Sequence, residues 1–328
     1  MKPVAVVTPW FGEKSAGGAE RTARQIAHRL GSRGYEIEVL TTCCESFFAP
    51  WGEDQYEPGE TTDGNVAVRR FSVDPQNFPE FDRVNRILLN HPPERLLPGC
   101  SPVSPGLEQV FIRENINSRS LLHYLEENHS RYDAFLFIPY LYGPILQGLP
   151  LVAEKALLQP CLHDEAYAYL PAAGGIFRRA RAVLFHTEGE RKLARSLYGP
   201  VIDQKGHLVG TGVERPAERK KPEVSFRTNH SPYLLCIGKR DPKKNTGFLA
   251  EAFRAYKKRH PDSPLRLILC GPGTGSYSDP AAGIEDRGEV CDEEKQALLA
   301  HCLAQVNPSL NESYSRVIME AWLAGKPV

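Results

Sequence analysis

Short apolar runs separated by amphipathic stretches recur along this chain, and they predict strand, helix, strand in alternation. The first run, residues 4–8, is unbroken Val, Ala and Thr and reads as a buried strand. A loop with Gly17, Gly18, Ala19 and Glu20 follows. Next comes a helix with Ala23, Ile26, Ala27 and Leu30 on one face and Gly34 as its stop. Ile37–Thr42 is the second strand, which completes the βαβ unit of a doubly wound sheet. Strands are predicted again at 134–139, 157–163 and 182–185, and helices at 118–127 and 143–148. Thr187 and Glu190 form a capping box ahead of another helix.

Between 45 and 106 the pattern loosens. Pro75, Pro79, Pro92, Pro93, Pro98, Pro102 and Pro105 interrupt it, although Val66–Phe71 still alternates as a strand does. The expectation is a loop-rich insertion. From 214 to 230 the chain turns rich in Lys, Arg, Glu and Pro, which predicts a linker, with Gly210 and Gly212 as hinge positions. The C-terminal half repeats the alternation with strands at 233–238, 265–271 and 304–307 and helices at 245–260 and from 292. A last helix ends at Ala324-Gly325. The predicted organisation is one α/β domain over 1–213 and another over 231–328. Truncation of the C-terminal domain is expected, because the chain stops where another buried strand should begin.

Composition narrows the function classes. Lys and Arg total 40 against 40 Asp and Glu, so no overall basic field calls for nucleic acid. No apolar run reaches the roughly 18 residues a membrane helix needs, and the start lacks a signal-peptide layout. The cysteines form no C-x-x-C pair, which argues against zinc and for free thiols in a cytoplasmic protein.

The densest chemistry lies at 307–320, Asn-Pro-Ser-Leu-Asn-Glu-Ser-Tyr-Ser-Arg-Val-Ile-Met-Glu. Glu312 sits in a polar turn and Glu320 on the helix beyond it, with Ser315 as the expected N-cap. Helix N-termini carry unpaired amides and a positive dipole end, which suit phosphate. Carboxylates on either side of a phosphate suit hydroxyls. A diphosphate flanked by two sugars, a nucleotide-sugar, satisfies both; two solvated glutamates beside a capped helix are the alternative.

Three segments in order resemble a retaining glycosyltransferase of the GT-B fold, family 4 type (glycosyl transferases group 1). They are Gly17-Gly18-Ala19-Glu20, then Gly238-Lys239-Arg240-Asp241-Pro242-Lys243-Lys244-Asn245, and the stretch from Glu312 to Glu320. The resemblance implies two Rossmann-like domains facing a cleft. It implies catalytic roles for His163, Lys239, Lys244 and Glu312. Gly17, Gly18, Arg240, Ser313, Tyr314, Ser315, Arg316 and Glu320 are implied as donor-binding. Lys239 and Lys244 match a basic pair, usually Arg then Lys, that neutralises the diphosphate; with Arg240 adjacent, either residue could take the first role. The amides of Tyr314, Ser315 and Arg316 would meet phosphate, Glu312 the transferred sugar and Glu320 the ribose. Ser313-Tyr314-Ser315 stands where the family often has Gly-Phe-Gly. His163-Asp164 matches an N-domain histidine near the reaction centre, or else Asp164 caps the next helix.

The implied activity is transfer from a UDP- or GDP-sugar to a glycan or lipid-linked acceptor, as in polysaccharide or glycolipid synthesis, with neither cofactor nor metal. Arg178, Arg179, Arg181, Arg191 and Arg195 offer a basic face for anionic lipid at the inner membrane surface. The alternative is a solvated surface balanced by Glu188 and Glu190. Rival functions are a GT-B-fold nucleotide-sugar epimerase and a catalytically silent nucleotide-sugar-binding fragment. A Rossmann dehydrogenase is disfavoured because the first loop lacks G-x-G-x-x-G.

Overall fold

The computed structural model describes residues 2–328 except 14, 16, 214–230, 241–243, 274 and 311. The chain divides into two units, Met1–Thr211 and Gly212–Val328. The predicted linker lies outside the described residues. Gly210 does adopt a positive φ of 66°.

Unit 1 runs β1 (Val4–Val7), α1 (Gly18–Ser32), β2 (Ile37–Thr42), β3 (Gly59–Asp63), β4 (Val66–Phe71), α2 (Phe78–Leu89), α3 (Pro105–Arg113) and α4 (Arg119–Asn128). It continues with β5 (Ala134–Phe137), α5 (Gly143–Leu146), β6 (Ala156–Leu158), α6 (Pro171–Arg179), β7 (Ala182–Phe185), α7 (Glu188–Tyr198), α8 (Val201–Lys205) and β8 (Gly206–Leu208). The strands form one sheet in the order β3-β4-β2-β1-β5-β6-β7-β8. All neighbours are parallel except the β3–β4 pair. Val4 sits opposite Ile37 on one side and Ala134 on the other. Both faces are covered, which explains the unbroken apolar strands. Val6, Val39 and Leu136 pack with Ala23 and Ala27 of α1. Ala5, Val7, Phe135 and Phe137 share the opposite layer with Phe81, Phe111 and Leu121 of α2, α3 and α4.

The stretch 45–106 is not loop alone. It supplies β3, β4 and α2, and Pro105 opens α3. Two of its prolines start helices rather than break them. Pro79 stands in the first turn of α2, where Asn77 accepts from the Glu80 amide at 3.3 Å. Ser104 likewise accepts from the Leu107 amide at 3.4 Å, just ahead of Pro105. A proline there loses no intrahelical hydrogen bond.

Unit 2 contains β9 (Tyr233–Ile237), α9 (Thr246–Arg259), β10 (Arg266–Cys270), β11 (Ile284–Asp286), α10 (Asp292–His301), β12 (Ala304–Gln305) and α11 (Arg316–Leu323). Its described strands form a parallel sheet in the order β11-β10-β9-β12. Leu235, Ile268 and Cys270 pack against Leu298, Leu299 and Ala321 of α10 and α11. Cys236, Leu267 and Leu269 meet Ala250 and Phe253 of α9 on the other face. Burial pushes the Cys236 thiol up to about 11, as expected of a cysteine acting as a small apolar side chain.

In each sheet the strand order reverses once beside the first strand, between β1 and β5 in unit 1 and between β9 and β12 in unit 2. Such reversals splay neighbouring loops apart at the carboxyl ends of the strands, where doubly wound sheets take their ligands. Among the described residues no helix is long and apolar enough to cross a membrane.

Candidate functional site

In unit 2 the loops after β9 and β12 flank the reversal, and they carry the two predicted donor motifs. Lys244 Nζ donates to Glu312 Oε1 at 2.6 Å, joining residues 68 positions apart. Their side chains keep 30% and 23% of their surface, so the pair is accessible. Lys239 is half-buried on the loop after β9, and Ser313, Tyr314 and Ser315 are half-buried after β12. Burial raises the Tyr314 phenol.

Arg240 has a different employment. Its guanidinium forms a two-pronged ion pair with Asp286 at the end of β11, and both side chains are only 3% exposed. Asp286 also accepts from the Tyr277 and Gly288 amides, each at 3.0 Å. Burial alone raises its carboxyl, but Arg240 and the two amides outweigh that and hold it below the usual range. The guanidinium is therefore engaged in bracing loops. Gly271 and Gly273 complete this brace. Both have φ of 140°, and a Cβ on Gly271 lies 1.9 Å from the Gly238 carbonyl oxygen. Only glycine lets the loops after β9 and β10 lie so close.

Ser315 is the N-cap residue of α11, but its side chain makes no capping hydrogen bond. Its hydroxyl instead accepts from Asn307 Nδ2 at 3.1 Å. The first turn of α11, beginning at Arg316, thus makes no hydrogen bond to its N-cap side chain. One turn later Glu320 Oε1 accepts from Lys295 Nζ at 3.3 Å. Its other oxygen, Oε2, is buried without a hydrogen-bond partner.

In unit 1 Gly17 is the N-cap of α1 and Gly18 its first residue. The space a Cβ would take on Gly17 is filled by the Glu20 carboxylate, with Oε2 1.9 Å from that position. Around Gly18 that space is open. The space beside Gly17, a residue implied as donor-binding, is thus taken by the chain's own carboxylate. An anion beside a helix N-terminus is favourable whichever molecule supplies it.

His163 is half-buried on the loop after β6. That loop is held from below by Glu190, whose side chain is fully buried. Glu190 accepts from the amides of Leu162 and His186, both at 2.7 Å, and of Thr187. Thr187 Oγ1 accepts from the Glu190 amide at 3.1 Å, so the predicted capping box forms and also reaches across to the next strand end. Burial pushes the Glu190 carboxyl up to about 7, although the three amides pull the other way. Cys161, beside Leu162, takes a φ of 54°, a left-handed conformation uncommon outside glycine. Asp164 accepts from Tyr169 Oη at 2.8 Å, and Glu165 is the cap residue of the following helical turn.

The arginine-rich face is partly neutralised. Arg191 pairs with Glu188 at 2.8 Å and Arg195 with Asp203 at 2.5 Å, whereas Glu190 is buried and balances nothing at the surface. A depression of about 410 Å³ lined by Arg178, Arg179, Leu146 and Ile176 includes none of the predicted site residues. Asp286, Lys295 and the cross-strand role of Glu190 escaped the sequence reading. A lysine in the acidic first turn of α10 was the one visible signal among them.

Two α/β units of this topology, with polar and glycine-rich loops at each strand-order reversal, define the GT-B class of fold. Over the whole chain the likeness is to a UDP-forming α,α-trehalose-phosphate synthase from Burkholderia xenovorans. It covers 99% of this chain and 82% of that one, with a TM-score of 0.65 at 15% identity. Residues 231–328 match the family described as Glycosyl transferases group 1, which bears out the resemblance read from the motifs. A D-inositol 3-phosphate glycosyltransferase of Corynebacterium glutamicum is 30% identical over 37% of this chain and 32% of its own length. A GDP-mannose-dependent α-(1-6)-phosphatidylinositol monomannoside mannosyltransferase of Mycobacterium tuberculosis is 25% identical over 54% of this chain and 51% of its own. The chain thus spans about a third to a half of the length of these relatives.

Proposed function

We propose that this chain acts as a retaining glycosyltransferase, moving a sugar from a UDP- or GDP-linked donor to a glycan or lipid-linked acceptor without a metal. The observation that carries the reading is the Lys244–Glu312 contact at the unit 2 strand reversal, inside the segment that matches the family. The names of the relatives motivate the donor and acceptor classes: one uses GDP-mannose on a phosphatidylinositol mannoside, and a structural neighbour is UDP-forming.

In this reading the donor diphosphate draws Lys244 away from Glu312. The ammonium, Lys239 and the amides of Tyr314, Ser315 and Arg316 then neutralise the phosphates, while Glu312 turns to hydroxyls of the sugar. Glu320 accepts from the ribose. The bond from the anomeric carbon to the phosphate oxygen breaks as the acceptor oxygen bonds to the same face. The acceptor's proton passes to the departing phosphate oxygen, so no side-chain nucleophile is required. Fixed cations and amides act chiefly on the negative charge that develops on that oxygen. In unit 1 the same reading gives Gly17 and Gly18 a part in donor binding and His163 a catalytic role. Contact with anionic lipid through Arg178 and Arg179 belongs to the same reading, as does work at the cytoplasmic membrane surface in polysaccharide or glycolipid synthesis.

Titration calorimetry with UDP and GDP is the direct test. Binding is expected in the 328-residue chain and lost in Lys244→Ala and Glu320→Ala, with far-UV circular dichroism unchanged. Full binding in both variants rejects the site, and an inverted anomeric product by NMR rejects retention.

A further inference from the structure

Lys295 stands where a lysine is hard to explain by helix stability. It occupies the first turn of α10 behind Asp292, Glu293 and Glu294, at the helix end that disfavours cations. It also lies on the buried stripe of that helix with Leu298 and Leu299, and its side chain is 10% exposed. Removing an ammonium this far from water is costly unless it is paired. Two carboxylates pair it: Asp292 at 3.2 Å, which is 66% exposed, and Glu320 at 3.3 Å, which is 12% exposed.

The partner oxygens of Glu320 are unequal. Oε1 takes the ammonium, whereas Oε2 is buried with no hydrogen-bond partner. A buried carboxylate oxygen without a donor is expensive in a fold that pairs almost all such atoms. Its presence next to a fixed ion pair points to a donor supplied from outside. We infer that Lys295 is a positioning residue: it clamps one oxygen of Glu320 so that the other is held for a hydroxyl of the nucleoside ribose. The inference rests on Glu320 as the ribose contact. It adds that recognition of a ribose over a deoxyribose depends on a second helix, α10, which carries none of the site residues that the motifs predict. A carboxylate is acceptor-only, which matches hydroxyl donors.

The test compares each nucleoside diphosphate, UDP and GDP, with its 2′-deoxy counterpart by titration calorimetry on the 328-residue chain. The parent chain is expected to favour the ribonucleotide about tenfold or more, the worth of one hydrogen bond to a charged group. Lys295→Met keeps the apolar stem in place, and it is expected to reduce that preference to about twofold while lowering the melting temperature, since it leaves a buried carboxylate unpaired. Lys295→Arg, retaining a cation, is expected to keep most of the preference, which a merely structural role does not require. Glu320→Gln is expected to abolish it. A Lys295→Met chain that discriminates as the parent does overturns the inference while leaving the donor site intact. A parent chain that binds neither nucleotide, or a Glu320→Gln chain that still discriminates, removes the underlying reading instead.

Discussion

The two strand-order reversals of this molecule are topologically alike but handle their carboxylates in opposite ways. In unit 1, Glu20 lies against Gly17 in the loop after β1, and Glu190, away from the reversal, is buried beneath the His163 loop, where it accepts from backbone amides. At the reversal in unit 2, Glu312 and Glu320 are instead paired with lysine side chains, at 2.6 and 3.3 Å. A carboxylate that accepts several backbone amides fixes a loop. Two loops of one fold class are thus held differently, by backbone amides on Glu190 in unit 1 and by side-chain ion pairs at the seat beside β12 in unit 2.

The largest way to break this comparison is to disturb the brace beneath the unit 2 seat. Arg240→Leu leaves Asp286 charged and buried at 3% exposure, and a loss of about 3–5 kcal/mol of stability is expected in denaturant titration. Were Arg240 instead a donor ligand, stability would hold and nucleotide affinity alone would fall. Next in size is Lys244→Ala, expected to cost roughly 3 kcal/mol of transition-state stabilisation, about a hundredfold in transfer rate, with stability nearly unchanged. Steady-state assays with the matched donor measure it.

Glu190 sharpens the contrast through pH. Its carboxyl lies at about 7 in the fold and at 4.5 ordinarily, so between those values the folded chain holds a proton the unfolded chain has released. Stability contributed at this site therefore falls as pH rises through that window, by about 3 kcal/mol in all. The measurement is the stability of the parent minus that of Glu190→Gln, followed from about pH 4.5 to 7.5; a flat difference contradicts the burial of this group. The smallest effect separates two adjacent glycines. Gly18→Ala has open space and is expected to shift stability by under about 1 kcal/mol. Gly17→Ala must displace the Glu20 carboxylate and is expected to cost more in thermal denaturation.

Sequence pattern alone specified the alternation of buried strands and amphipathic helices, because burial on both faces of a parallel sheet leaves a local apolar signature. It also singled out Lys244 and Glu312 in polar turns before helices, and Glu320 on the helix beyond, because charged groups so clustered stand out by their chemistry. The prolines at 79 and 105 misled it, because a proline that opens a helix and one that ends a strand look the same until the capping residue is seen in place. Tertiary structure decided the rest. The pairing of Arg240 with Asp286, of Lys295 with Glu320 and of Glu190 with the Leu162 amide each joins residues 25 or more apart in the chain. Such partners are set by which strands become neighbours and by how deeply each charge is buried. Neither quantity is carried by local spacing, so the motif could name the charges but not assign their work.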